Sequence, residues 1–328
     1  MVEVRVEGVT KSFGGVPVLK NVEQEAKSGQ LVCILGPSGS GKSTLLKIIA
    51  GLIRPDNGRI LFDGVDVTEL PSWKRGIGYV FQNIALFSHL TVYDNIAFGM
   101  RLRKLPRDEI DRRIKNMLKL VKMEGFEKRK PTQLSGGQAQ RVAIARALVI
   151  DPKVLLFDEP LGHLDAKLRE ELKYEIRRIQ KETGKTAIYV THDQSEAFAI
   201  ADYIYILRDG KIEQSGTPIE LYLTPKSPFV AEFVGLSNFI SGKIISMDRE
   251  KYLAEVDANG MRLYVKSSSD ARVGDEVIVS VRPEDVTVIP NEDEASQFKE
   301  KFANILPAKV LKKVCRSLSK VRAGFRHP

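Results

Sequence analysis

Nine consecutive residues, Gly36, Pro37, Ser38, Gly39, Ser40, Gly41, Lys42, Ser43 and Thr44, have the composition and spacing of a loop that wraps a chain of phosphates. Glycines let the backbone curl until successive N–H groups face anionic oxygens, and a helix starting there adds the positive end of its dipole. In such a loop Lys42 reaches the terminal phosphates and Ser43 offers its hydroxyl to Mg²⁺. Asp158 and Glu159 form a second candidate group. They follow the apolar run from Val154 to Phe157, where a phosphate-cleaving enzyme needs one acid for the metal and another for the attacking water. That places Asp158 on the metal and makes Glu159 the general base; without the upstream loop, the same pair reads as a helix cap or a solvated turn. Leu134 to Gln138, LSGGQ, supplies a third group: Ser135, Gly136 and Gly137 at a helix entrance make another anion-binding end. An ordinary capped helix accounts for Ser135 but leaves the two glycines and Gln138 unexplained.

These residues need a frame. Leu31 to Leu35 is a short apolar run ahead of the loop, and Ser43 to Ala50 has helical composition, so the order is strand, loop, helix. Val154–Phe157 and Thr186–Val190 read as further buried strands, the last ending at Thr191 and His192. Strands alternating with helices imply a parallel sheet covered on both faces, with ligand groups at the carboxyl ends of strands. Between the first two strands, Ile110, Ile114, Met117 or Leu118, and Val121 share one helical face and suggest an inserted helical subdomain. Leu168, Leu172, Ile176 and Ile179 form another stripe, which Gly184 ends. After about Phe233 the pattern changes to short alternating segments. Met261, Leu263 and Val265 oppose Arg262, Tyr264 and Lys266 after an Asn259–Gly260 turn, the mark of a small β-rich domain.

Composition narrows the classes. With 328 residues, 43% hydrophobic and 28% charged, the chain is long enough for one large and one smaller folded domain. No apolar run is long enough to span a bilayer, and the N-terminus alternates like a strand instead of resembling a signal peptide, so the expectation is a soluble, unexported protein. Two cysteines, Cys33 and Cys315, and four scattered histidines give neither a disulfide framework nor a zinc site. The net charge of +9 suggests nucleic acid until it is mapped: seven basic residues and no acidic ones lie between Ala308 and Pro328, leaving +2 elsewhere. The acidic stretch Asn291 to Glu300 reads as an exposed connection before that tail.

LSGGQ followed by AQRVAIARAL resembles the signature of the ABC-family ATPases. The resemblance implies an α/β fold, a P-loop NTPase cassette with a mixed, mainly parallel sheet and a helical subdomain, and ATP and Mg²⁺ as ligands. It implies that LSGGQ of one subunit closes over the nucleotide held by the phosphate loop of a second copy. Gln82, in YVFQN, resembles the glutamine that touches Mg²⁺ or the attacking water; His192, in VTHDQSEA, resembles the switch histidine on the γ-phosphate. Taken alone, such a histidine is more often structural. Phe13, in KSFGG, resembles the aromatic that stacks on adenine, although a phenylalanine beside a strand is by default core. Asp165 matches the loop aspartate of the dimer interface, with Gly162 and His163 replacing the more usual Ser-Asn or Ser-Ala before it.

LDAKLREEL, GTPIELYLTPKSPFVAEFVG and SVRPEDV resemble the importer ATPases of the maltose, polyamine, ferric-iron and molybdate/tungstate types over residues 1 to about 290. That subgroup adds a C-terminal OB-like β domain. The expected organisation is an ATPase domain over 1–235, with its helical subdomain at about 88–150, and an OB-like regulatory domain over 236–328. That second domain departs from the family pattern in lacking several closing strands and ending in the basic tail 308–328, which could form a basic amphipathic helix or stay unstructured. The implied partners are a second copy of the chain, a transmembrane permease and, indirectly, an external solute-binding protein, with no nucleic acid. The implied location is the cytoplasmic face of the membrane, peripheral. The rivals are a soluble ABC ATPase acting on nucleic acid or ribosomes, a P-loop kinase or GTPase, and a regulator whose β domain binds an inhibitor.

Overall fold

The structure, a computed structural model, describes residues 2–267 and 271–286. It divides into two units, Met1–Leu223 and Thr224–Pro328.

In the first unit β1 (Val4–Phe13) and β2 (Val16–Ala26) form an antiparallel hairpin with Val4 opposite Ala26. Val4, Val6, Val9, Leu19 and Val22 are buried, as expected of a sheet with one covered face. Next come β3 (Leu31–Leu35), the phosphate loop and α1 (Lys42–Ile49), in the order the sequence implied. β4 (Asn57–Phe62) and β5 (Val65–Asp66) complete an antiparallel sheet of order β2-β1-β4-β5.

A second sheet begins with β6 (Ile77–Val80). Three helices, α2 (Val92–Leu102), α3 (Arg107–Leu120) and α4 (Gly136–Leu148), separate it from β7 (Val154–Asp158). These helices pack on one another as the helical insert. Ile110, Ile114, Leu118 and Val121 form its buried stripe, so Leu118 takes the place left open between it and Met117. Then come α5 (Ala166–Thr183), β8 (Thr186–Thr191), α6 (Gln194–Ile200), β9 (Tyr203–Arg208), β10 (Lys211–Gly216) and α7 (Pro218–Leu223). Leu172, Ile176 and Ile179 of α5 are buried, and Gly184 ends it at φ 65° with its N–H on the Gln180 carbonyl.

The strand order is β10-β9-β3-β8-β7-β6. The last five strands of that order run parallel, with β10 antiparallel at the edge. Every residue of β3, β7 and β8 is buried, which explains why these strands read as unbroken apolar runs and not as alternation. α1 packs on β2, β7 and β8, and its Leu45, Leu46, Ile48 and Ile49 join residues of both sheets in one core.

The second unit contains α8 (Pro228–Val234) and an antiparallel sheet of β11 (Asn238–Asp248), β12 (Leu253–Ala258), β13 (Met261–Lys266) and β14 (Glu276–Val281), in the order β13-β12-β11-β14. The division falls after Leu223 and not at 235 because α8 packs on β14, and Arg282 donates to the Ala231 carbonyl at 3.3 Å. Asn259 and Gly260, both at positive φ, turn β12 into β13 as their dipeptide implied. Ile244, Ala254, Val256, Leu263 and Val279 form a small separate core. Of the OB-like domain expected here, the described residues give this one sheet; the acidic stretch 291–300 and the basic tail 308–328 lie outside them.

Candidate functional site

Four neighbouring parallel strands deliver the chemistry to one edge. β3 ends in the phosphate loop, β7 in Asp158 and Glu159, β8 in Thr191 and His192, and β6 runs on to Gln82. All lie at carboxyl ends, where a parallel sheet leaves a crevice.

The loop's shape depends on the absence of a side chain at Gly36. A Cβ there would lie 2.1 Å from the Leu207 carbonyl oxygen, so only glycine lets the loop start against β9. Lys42 opens α1 at 4% exposure, and its ammonium donates to the Gly36 and Pro37 carbonyls at 2.9 Å each. Its Nζ stands 3.8 Å from Glu159 Oε1. Burial pulls the Lys42 pKa below the ordinary lysine value, and the charges of Glu159 and Asp158 oppose that shift. One residue on, the Ser43 hydroxyl donates to Asp158 Oδ1 at 2.6 Å, while Tyr79 donates to Asp158 Oδ2 at 2.9 Å.

Glu159 sits at φ 42°, a left-handed conformation rare outside glycine, held by its N–H on the Val190 carbonyl at 3.0 Å. The side chain, 15% exposed, is the meeting point of the site. His192 Nδ1 lies 3.0 Å from Glu159 Oε2 and Gln82 Nε2 lies 3.4 Å from the same oxygen. His192 itself is 52% exposed, so its ring is open to a ligand on the far side. Lys42, Ser43, Gln82, Asp158, Glu159 and His192 are therefore brought together.

The remaining candidates lie elsewhere. Ser135 caps α4, its hydroxyl accepting from Gln138 N–H at 3.3 Å while Gln138 Oε1 accepts from Ser135 N–H at 3.0 Å. This reciprocal capping box gives Gln138 a local role, contrary to the expectation that a capped helix leaves it unexplained. The glycines also have a packing reason. A Cβ on Gly137 would meet Leu168 Cδ1 at 2.7 Å and one on Gly136 would meet Leu164 Cδ2 at 3.0 Å. Among the described residues, no hydrogen bond or ion pair joins Ser135–Gln138 to the phosphate loop. Asp165 caps α5 by accepting from Leu168 N–H at 3.0 Å. Phe13 ends β1 with its ring 47% exposed and the Lys11 ammonium 5.5 Å from its centroid, so it is a surface residue and not core.

Two residues of the site were not singled out in the sequence. Tyr79 is one; burial, then the Asp158 charge, push its phenol well above the ordinary value, so it stays a donor. Its place on β6, three residues before Gln82, was the available signal. Arg146 is the other: it donates to the Ala85 carbonyl at 2.5 Å and lies 5.6 Å over the Phe87 ring, tying α4 to the segment after Gln82.

Comparison with known proteins identifies the family. The ABC transporter family matches residues 19–162. The chain is 46% identical to the spermidine/putrescine import ATP-binding protein PotA of Clostridium novyi, over 87% of this chain and 80% of that one. It is 52% identical to the sulfate/thiosulfate import ATP-binding protein CysA of Thermosynechococcus vestitus, over 74% and 72%. This chain belongs to the ABC transporter family. As a member it is an ATP-binding cassette ATPase of the importer kind. A bacterial ABC transporter cassette solved as a dimer superposes with a TM-score of 0.59 at 37% identity, covering 65% of this chain and 98% of that one. No helix among the described residues of this ABC ATPase is long and apolar enough to cross a membrane.

Proposed function

We propose that this ABC ATPase drives an importer by clamping ATP between two copies of itself, each copy giving its phosphate loop to one nucleotide and its Ser135–Gln138 helix end to the other. The observation that carries this reading is the split within one chain. Lys42, Ser43, Asp158, Glu159 and His192 converge, while the second anion-binding end makes no bond to them. The dimeric form of the related cassette supports it.

In this reading Lys42 exchanges the Gly36 and Pro37 carbonyls for phosphate oxygens, a swap that relieves its desolvation. Phe13 stacks on adenine, and the N–H groups of Gly36 to Thr44 hold the phosphates. Ser43 and Asp158 fit Mg²⁺: their oxygens stand 2.6 Å apart at a helix start, one of them a carboxylate, and Gln82 has a further amide oxygen to offer. Bound Mg²⁺ would supply charge neutralisation at the terminal phosphates. Glu159 orients or deprotonates the attacking water, and His192 steadies the charge on the γ-phosphate as it is transferred. Ser135, Gly136 and Gly137 of the second copy add donors there, with Gln138 holding that end in shape and Asp165 near the shared interface.

Closing on ATP and reopening after hydrolysis is a population shift driven by the nucleotide's differential affinity for the closed dimer. A permease reads that shift through Gln82 and the segment around 87–98, with the ATPase peripheral on the cytoplasmic face. Relatives named for polyamines and for sulfate both match, so we assign solute choice to the permease and its external binding protein. The same names favour transport over action on nucleic acid or ribosomes.

Glu159→Gln tests the clamp. It should bind ATP but hydrolyse it at least about a thousandfold more slowly, accumulating an ATP-bound dimer in sedimentation. A variant that stays monomeric with ATP, while the parent chain hydrolyses normally, overturns the reading.

A further inference from the structure

Behind His192 lies a buried carboxylate that the mechanism above does not use. Glu196, at 2% exposure, accepts from the Tyr189 hydroxyl at 2.8 Å and the Thr191 hydroxyl at 2.9 Å, both on its Oε2. The Thr191 hydroxyl in turn accepts from Asp193 N–H at 3.0 Å, so one bonded chain closes around both peptide bonds of His192. Burial pushes the Glu196 carboxyl above its usual range, which marks the cost of keeping it there.

On the other side of Glu196 stands Arg169. It donates to the Leu164 carbonyl at 3.0 Å through one guanidinium nitrogen and to Asp193 Oδ2 at 3.4 Å through another. Its buried Nε has no hydrogen-bond partner and stands 3.9 Å from Glu196 Oε1. A buried guanidinium N–H without an acceptor is costly, and the acceptor it faces is less than an ångström beyond reach. Arg169 can therefore shift from the long Asp193 contact to Glu196, and any such shift pulls on Leu164, in the loop that begins at Glu159 and ends at Asp165.

We propose that Arg169 and Glu196 are positioning residues that tie the aim of His192 to the position of the 161–165 loop. The 161–165 loop precedes the Asp165 cap of α5, and its Leu164 backs Gly136 of the second anion-binding end. Seating that end against a second copy thus displaces Leu164, and Arg169 carries the displacement to the turn that holds His192. This part of the inference rests on the dimer reading; the wiring between Leu164 and His192 does not.

The test uses Arg169→Lys, which keeps the charge but loses the fork that bonds Leu164 and Asp193 while facing Glu196, and Glu196→Gln, which keeps an acceptor for Tyr189 and Thr191. Each should lower kcat about tenfold with KM for ATP within about twofold, and the double variant should be no slower than the worse single, as expected of one unit. The His192 ring resonance should move in both, with that of His89 unchanged. Two results overturn the proposal: kcat within about twofold of the parent, or a loss that tracks the folded fraction in thermal melts while His192 stays put. ATP-induced dimerisation of Glu159→Gln is measured beside them. A failure to dimerise there sinks the clamp alone, since the wiring is still read from kcat and His192.

Discussion

The two helix starts of this ABC ATPase proposed to bind anions are built on opposite plans. The phosphate-loop end is a convergence of side chains from the ends of β3, β7 and β8: Lys42 and Ser43 reach Glu159 and Asp158 across more than a hundred residues of sequence, and His192 meets Glu159 across 33. The α4 end is self-contained: Ser135 and Gln138 cap each other, and Gly136 and Gly137 lie against Leu164 and Leu168. One end stores buried charge that ligand can relieve; the other carries no charged side chain and offers a helix dipole with free first-turn N–H groups. Such an asymmetry suits a device in which one end holds nucleotide alone and the other joins only on closure.

Lys42→Ala is the sharpest way to break that contrast. It should abolish equilibrium ATP binding in single protomers and reduce kcat/KM by about 10³-fold or more, equivalent to about 4 kcal/mol. Ser135→Ala should leave protomer binding unchanged, lower the stability by the roughly 1 kcal/mol of a lost helix cap, and slow turnover. Equal loss of protomer binding in both would erase the distinction between the ends.

A second test moves to the far end of α1, whose N-terminus is the phosphate loop. The buried Arg75 donates to the Ile48 and Ile49 carbonyls at 2.8 Å each and to the Thr68 and Leu70 carbonyls at 2.7 Å each. It anchors the last turn of the helix that carries Lys42. Arg75→Ala takes that donor from all four carbonyls, Ile48 keeping the Gly51 N–H at 3.0 Å, and should cost about 3 kcal/mol in denaturant unfolding. The nucleotide affinity of the fraction that remains folded should change little.

Why some of this was legible and some was not follows from the same contrast. β3, the loop and α1 could be read because parallel strands covered on both faces announce themselves as unbroken apolar runs, and because the loop's glycines and Lys42 sit in one contiguous stretch. The stripes Ile110–Val121 and Leu168–Ile179 were legible through helical period. Arg75 and Tyr79 were not: the Ile48 and Ile49 carbonyls lie 27 and 26 residues from Arg75 and Asp158 lies 79 from Tyr79, and nothing in the local pattern says that a guanidinium will fill a helix end or that a phenol will meet Asp158. The pairing of β4 beside β1 is equally non-local. Gln138 was misread for the opposite reason, since its Ser-x-x-Gln spacing is a local capping signal hidden beneath a more conspicuous motif. The unit boundary moved from 235 to Leu223 because α8 carries its own apolar face to β14, a contact that composition does not encode.

Gly137 sharpens the comparison at the α4 end. Gly137→Ala drives a methyl into Leu168 and should destabilise by about 2 kcal/mol through overpacking. Leu168→Ala in the same chain reopens that space. If the glycine is needed for packing, the double variant regains ATPase activity over Gly137→Ala; if it is needed for close approach to a phosphate from a second copy, stability returns and activity does not. Thermal melts and turnover measured on the same samples separate the two.

The last test concerns Tyr79. Its hydroxyl donates to Asp158 Oδ2 while Ser43 donates to Oδ1, so Asp158 is fixed from both sides before any metal arrives. Tyr79→Phe keeps the ring that lies 4.4 Å from Phe81 and removes one hydrogen bond to a charged acceptor. That should cost about 1 to 2 kcal/mol of stability at most, because the carboxylate keeps Ser43. If Ser43 turns to Mg²⁺ as proposed, Tyr79 is the remaining described donor on Asp158, so its loss should show as a several-fold rise in the Mg²⁺ concentration for half-maximal ATPase, with kcat at saturating Mg²⁺ nearly unchanged. An unchanged Mg²⁺ requirement would mean that Asp158 is aimed by β7 alone, and the phosphate-loop end would then owe less to side-chain wiring than its geometry suggests.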